Sequence, residues 1–240
     1  MTALTVGSLF SGIGGLDLGL ERAGMRVIWQ SEIDPYASRV LKKHWPEVPN
    51  YGDIKTIEWG AVEPPDVICG GYPCQPFSLT GERQGEDDPR HLWPWVRDAI
   101  SVLRPRYAIL ENVRGHLSLG GTTVVRDLAS IGYNAEWEVI SAASQGAPHL
   151  RERVFICAYP FGNVPDTKRG GLPTGSEKNT IYERQTDDPE RCMRWAPEPD
   201  VRRVANGVPH GVDRIRGLGN AVVPQVAELV GRLVVEHSTQ

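Results

Sequence analysis

The sequence predicts an α/β fold: a mostly parallel sheet covered by helices on both faces, with an antiparallel pair of strands at one edge. Three observations carry this. Short apolar runs alternate with amphipathic helical patterns through the first two thirds of the chain, the arrangement of a parallel sheet buried on both sides. A glycine-rich turn, FSGIGG, follows the first apolar run at once. No helical pattern separates the last two apolar runs, which are therefore free to pair antiparallel.

The elements follow in order. LTVGSLF (4–10) is a buried strand, and GLDLGLERAG places Leu16, Leu20 and Ala23 on one helix face closed by Gly24. MRVIWQSEID is the second strand, and PYASRVLKKHW a helix with Pro35 in its first turn, where a missing N–H costs nothing. VPNYGDI is a short extended piece, counted as a third strand, and PDVICGG is the fourth. A helix around HLWPWVRDAISVLRP, the strand YAILENV and the helix GGTTVVRDLASIG come next. The final strands, AEWEVIS and RVFICAYP, are joined by the loop AASQGAPHLRE. From about Tyr159 to Val208 the periodicity fades and Pro, Gly, Asp, Arg and Thr dominate. Structure resumes at VPQVAELVGRLVVEHS, where Val226, Leu229, Val230, Leu233, Val234 and His237 share one helical face that packs back on the sheet. The expected organisation is a catalytic and cofactor-binding domain over 1–159, a small target-recognition region over 160–208, and a returning C-terminal segment over 209–240.

Bulk properties narrow the function classes. A chain of 240 residues with 40% hydrophobic and 23% charged residues has enough apolar side chain for a substantial core. No uninterrupted apolar run reaches the roughly 18 residues of a membrane span, and MTALTVGSLF lacks the basic start of a secretory signal, so a cytoplasmic, membrane-free protein is expected. Cys69, Cys74, Cys157 and Cys192 are too few for a disulfide scaffold and contain no C-x-x-C pair, so reduced thiols and no metal site are expected. The net charge is −4, but residues 145–216 hold 12 basic against 10 acidic side chains, which leaves a nucleic-acid partner open.

In an open parallel sheet, ligands bind beyond the carboxyl ends of the strands where strand order reverses. Gly12, Gly14 and Gly15 after the first strand permit a tight turn and close backbone approach. Glu32, at the end of the second strand, suits the two hydroxyls of a ribose, and Asp53, at the end of the third extended piece, suits an exocyclic amine. The spacing F-x-G-x-G-G is neither the dinucleotide G-x-G-x-x-G nor the phosphate-cradling G-x-x-x-x-G-K-[ST]. An adenosine without pyrophosphate fits, and S-adenosyl-L-methionine is the natural candidate.

Cys74 stands just past the next strand end, between Pro73 and Pro76, whose fixed φ restrains the backbone around the thiol. Glu111 ends the strand YAILENV, and Arg151 and Arg153 enter the last strand two residues apart. Beside a methyl donor these groups suit one reaction. Addition of a thiolate to C6 of cytosine makes C5 nucleophilic, a protonated Glu111 donates to N3, and Arg153 holds O2. Cys69 and Cys157, inside apolar strands, read instead as inert buried thiols.

FSGIGGLDLGLERAG, GGYPCQPFS, LENV, QGAPHLRERVFICAY and GLGNAVVPQVAELVG, in that order, resemble the signature blocks of the DNA (cytosine-5) methyltransferase family, and in compactness its bacteriophage and prophage members. The resemblance covers nearly the whole chain except residues 160–205. It implies a Rossmann-like S-adenosylmethionine-dependent methyltransferase fold with a small irregular target-recognition lobe, and a cytosine extruded from duplex DNA. By position it makes Cys74 the nucleophile, Glu111 the acid, and Arg151 and Arg153 the base-orienting arginines. It implies a cofactor site formed by Phe10, Gly12, Gly14, Glu32, Asp53, Ile54, Pro73, Leu92, Asn220 and Val222, with Ile33 where the family often has an aromatic residue. Gln75, Ser78 and Arg83 lie in a loop, Gln75 to about Arg90, expected to close over DNA with Gly81 and Gly85 as hinges. Lys168, Arg169, Arg184 and Arg194, with Lys178 and Arg191, are the expected phosphate and base contacts of the recognition lobe. A monomer is the expected state, and a companion restriction endonuclease is compatible but not required. An RNA cytosine methyltransferase shares this chemistry. A catalytically dead DNA-binding module would not need the acid and thiol, and a nicotinamide dehydrogenase is disfavoured by the glycine spacing and the Pro-Cys-Gln block.

Overall fold

The structure, a computed structural model, describes residues 2–73, 92–162 and 211–239. Within these residues six strands form one sheet: β1 (Thr5–Leu9), β2 (Arg26–Ser31), β3 (Val67–Gly70), β4 (Tyr107–Val113), β5 (Tyr133–Ile140) and β6 (Arg153–Pro160), in the order β2-β1-β3-β4-β6-β5. The first four are parallel, while β6 runs antiparallel to both β4 and β5. The helices are α1 (Gly15–Arg22), α2 (Pro35–His44), α3 (Trp93–Leu103), α4 (His116–Leu119), α5 (Gly121–Ser130), α6 (Gly211–Asn220) and α7 (Pro224–Ser238).

Alternation along the strands feeds two cores, one on each face of the sheet. Ala108, Leu110, Val154, Ile156 and Ala158 join Trp93, Val96, Ile100 and Leu128 under α3 and α5. Ile109, Phe155 and Cys157 join Leu16, Leu20, Val226, Val230 and Val234 under α1 and α7. Each fully buried aliphatic or aromatic side chain here contributes about 1.5–3 kcal/mol, so the two-sided burial, more than local propensity, holds the strands in place. Helix α1 lies tight on α7: a Cβ at Gly19 would meet the Cβ of Ala227 at 2.3 Å and the Pro224 carbonyl oxygen at 2.5 Å. The Tyr107 hydroxyl and His237 Nδ1 share a 2.8 Å hydrogen bond that ties the end of α7 to the start of β4.

Three elements differ from expectation. VPNYGDI makes only a single parallel bridge, Gln30 to Asn50. The Asn50 side chain bonds the Glu32 backbone N–H and carbonyl instead of continuing a ladder, and Gly52 turns the chain at φ +74. Helix α6 forms across the glycine-bearing GLGN, and the short α4 forms after LENV; neither has a clear apolar period. By length and composition the stretch Gly217–Ser238 would also suit a membrane span, although Glu228, Arg232 and Glu236 interrupt its apolar run; Val226, Ala227, Val230 and Val234 are buried within the fold.

Candidate active site

The strand order reverses between β1 and β3, and their carboxyl ends meet in register at Leu9 and Gly70. A cavity of about 660 Å³ opens there. Its floor is the turn after β1. Phe10, Gly12 and Gly14 have φ of +52, +56 and +83, a left-handed path that bends the backbone sharply into α1. Glu32 braces this turn. One carboxylate oxygen accepts from the Gly12 N–H at 2.8 Å and the other from the Asp34 N–H at 2.7 Å. Asp34 caps α2 by accepting from the N–H groups of Tyr36 and Ala37.

Phe10, Gly12, Glu32, Ile33, Asp53 and Ile54 line this cavity from the β1 and β2 side. Pro73, Leu92, Asn220 and Val222 line it from the other. Ile33 is 67% exposed, a free apolar side chain at the rim. Gly14 is not part of the lining; it precedes α1 with Trp45 packed against it, and a Cβ there would meet that ring at 2.4 Å. At Gly15 a Cβ would meet the Val222 carbonyl oxygen at 2.4 Å, so the wall around Val222 closes directly on the turn.

Glu111 and Arg153 face the same cavity, because antiparallel β6 brings its first residue to the carboxyl end of β4. Arg153 Nε donates to Glu111 Oε1 at 2.9 Å. Glu111 is only 8% exposed, and burial raises its pKa above the ordinary carboxyl value while Arg153 and then Arg151 pull it back. Its second oxygen looks onto Gly71, where a Cβ would come within 2.8 Å of it. Arg151 is placed differently. Its backbone is left-handed at φ +34, and its guanidinium donates to the carbonyls of Gly219 and Ala221, both at 2.7 Å.

Pro73 is the last described residue before Cys74. Cys74, Gln75, Ser78, Arg83, Lys168, Arg169, Arg184 and Arg194, and likewise Gly81, Gly85, Lys178 and Arg191, lie outside the described residues. The chain that enters at Pro73 and returns at Leu92 is anchored at both ends. Asn112 Nδ2 donates to the Tyr72 carbonyl at 3.1 Å, the Tyr72 hydroxyl shares a 2.7 Å hydrogen bond with His116 Nε2, and the Tyr72 and Trp93 rings lie 5.4 Å apart. Burial lowers the His116 pKa to about 4, so this imidazole stays neutral near pH 7. Sequence reasoning missed Tyr72, Asn112 and His116, although Tyr72 and Asn112 sit inside the quoted blocks GGYPCQPFS and LENV. It also missed Asp17 under the glycine turn. This carboxyl is 0% exposed and accepts from Ser8 Oγ and Gln30 Nε2, both at 2.9 Å, while Ser11 Oγ donates to Ser8 Oγ. Burial pushes its pKa up to about 6. The Cys69 and Cys157 thiols are buried and their pKa values rise, that of Cys157 to about 12, so both stay protonated and inert.

A mixed sheet of this order with its cavity at the strand ends defines a Rossmann-like methyltransferase fold, and solved structures carry the same architecture. A prophage-encoded E. coli DNA modification methyltransferase is 30% identical, with a TM-score of 0.56 over 66% of this chain and 47% of that one. Spodoptera frugiperda DNMT2 shares the fold at 21% identity and the same TM-score, over 71% of this chain and 54% of that one. The chain belongs to the C-5 cytosine-specific DNA methylase family, whose pattern matches residues 4–196. Type II methyltransferase M.NlaIV of Neisseria lactamica is 32% identical over 72% of this chain and 45% of its own length. Type II methyltransferase M.NaeI of Lentzea aerocolonigenes is 35% identical over 82% of this chain and 51% of its own. The chain thus spans about half or less of the curated relatives it matches.

Proposed function

We propose that the chain transfers a methyl group from S-adenosyl-L-methionine to C5 of a cytosine flipped out of duplex DNA, through a covalent bond between Cys74 and C6. The observation that carries this is the buried, arginine-paired Glu111 in one cavity with the Glu32-braced glycine turn, one wall of which ends at Pro73, the residue before Cys74. A cavity of about 660 Å³ floored by glycines, with a carboxylate at the ribose position, fits an adenosyl group. Phe10, Gly12, Glu32, Ile33, Asp53, Ile54, Pro73, Leu92, Asn220 and Val222 would hold it. When bound, the sulfonium supplies a methyl group to an electron-rich carbon.

The chain's own residues do the rest. The Cys74 thiolate bonds to C6, the C5–C6 π electrons move through the ring, and Glu111 gives its proton to N3, so C5 becomes an enamine-like carbon. Arg153, already bonded to Glu111, holds the base at O2 and keeps the acid aimed. After C5 is methylated, loss of the C5 proton to a base re-forms the double bond, expels the thiolate and returns the N3 proton to Glu111. Gln75, Ser78 and Arg83 would meet the DNA near the flipped base, and Lys168, Arg169, Arg184 and Arg194 would contact it from a recognition region over 160–208. The family match and relatives named as Type II methyltransferases support a role in DNA modification; a cytoplasmic location and an optional partner nuclease belong to the same proposal.

Radiolabelled S-adenosylmethionine incubated with duplex DNA or transfer RNA tests the reading, alongside a 5-fluorocytosine oligonucleotide. The native chain labels DNA at C5 and forms a denaturant-resistant adduct; Cys74→Ala does neither. Label in RNA alone would overturn the substrate, and methylation that survives Cys74→Ala would overturn the mechanism.

A further inference from the structure

We propose that Arg151 is a positioning residue that latches one wall of the adenosyl cavity, and so sets cofactor affinity, in place of holding the target base. Gly219 and Asn220 at the end of α6 and Ala221 and Val222 in its link to α7 line the cavity. Two contacts fix that link. On one side the Val222 carbonyl closes on Gly15, where no side chain fits. On the other, one guanidinium nitrogen of Arg151 donates to the carbonyls of Gly219 and Ala221, both at 2.7 Å.

The bonds join residues 68 and 70 positions apart in sequence, so they tie the β5–β6 loop to the C-terminal segment. A left-handed φ of +34 is costly for a side chain as large as arginine, and such a conformation persists where the surroundings require it. Here it delivers the guanidinium to two main-chain acceptors. Two residues on, Arg153 pairs with Glu111. The two arginines therefore divide the cavity between them, Arg153 at the acid and Arg151 at the cofactor wall. The identity of the ligand rests on the methyltransferase reading; the latch itself does not.

The test uses S-adenosylhomocysteine titrated calorimetrically into the native chain, Arg151→Ala, Arg151→Lys and Arg114→Ala, with amide hydrogen exchange over 217–223. Arg114 pairs with Glu152 on the surface beside the same loop and serves as control. Loss of two charge-assisted bonds weakens binding by about tenfold or more in Arg151→Ala. Arg151→Lys is intermediate and Arg114→Ala stays within about twofold of native, as for an exposed surface ion pair. Exchange at 217–223 accelerates in Arg151→Ala while the sheet peptides keep their protection. In turnover the KM for S-adenosylmethionine rises by about the same factor, and kcat at saturation stays within about threefold. Native affinity and native exchange at 217–223 in Arg151→Ala would overturn the latch, as would a loss confined to kcat. If Arg151→Ala fails to fold, Arg151→Lys carries the same comparison. A native chain that binds no S-adenosylhomocysteine would refute the proposed function, and the exchange measurement would still decide the latch.

Discussion

Glu111 is held between two opposing influences: burial favours its neutral form, and Arg153 and then Arg151 favour the carboxylate, with burial the larger. In the proposed donor role it would work below its raised pKa and lose activity as pH rises through it. Removing the Arg153 charge withdraws an influence that lowers that pKa. Arg153→Gln should therefore move the alkaline limb of the kcat/KM profile to higher pH, while the maximal rate falls by about 10²-fold, the loss typical of one oriented donor. A limb that stays put or moves to lower pH would contradict the donor role. The meeting of Glu111 and Arg153 in one cavity was expected from the sequence because both lie at strand ends and the proposed chemistry calls for those residue types. The partners of Arg151 were not, since a guanidinium aimed at main-chain carbonyls leaves no mark in the identity of its acceptors. Nor was the placement of Gly14: a glycine needed for a neighbouring indole and one needed for a ligand look alike in a string of letters.

Among the elements, the pairing of α1 with α7 shows where two rules conflict. Helix propensity favours Gly19→Ala by about 1 kcal/mol. The added Cβ would lie 2.3 Å from that of Ala227 and 2.5 Å from the Pro224 carbonyl oxygen, neither of which is the end of a flexible side chain. Overpacking of this kind costs about 1–3 kcal/mol, so the substitution should lower stability in urea titration despite the better helix former. An increase would mean that the helices part freely. The strands and the four longer helices up to α5, together with α7, were readable from period and turn residues. Helix α6 was not, because its glycines look like a loop. The extended piece near Asn50 was expected to be a strand because local pattern carries no information about side-chain bonds to a neighbouring backbone.

At the scale of the whole molecule, stability depends on a charge buried under the glycine turn. The Asp17 pKa is raised from 3.8 to about 6, so its contribution to stability is fully present below about pH 4 and is lost as pH rises through about 6. A shift of this size corresponds to roughly 3 kcal/mol at neutral pH. Asp17→Asn keeps a neutral side chain among Ser8 and Gln30 and should raise the melting temperature at pH 8, with the gain vanishing near pH 4. An equal effect at both pH values would show that folding does not raise the Asp17 pKa. The order in which the strands assemble was the least legible feature. Periodicity marks strands but not their neighbours, and the insertion of β6 between β4 and β5, which brings Arg153 to Glu111, follows from tertiary pairing alone.

The Tyr72 and Trp93 rings pack at a tilt with centroids 5.4 Å apart, which holds together the two described ends that flank residues 74–91. Because that contact sets the separation of the two ends, doubling the length of the intervening stretch would add only about 0.6 kcal/mol of closure entropy. Insertions after Cys74 should therefore cost little stability so long as the aromatic pair that flanks the stretch is kept.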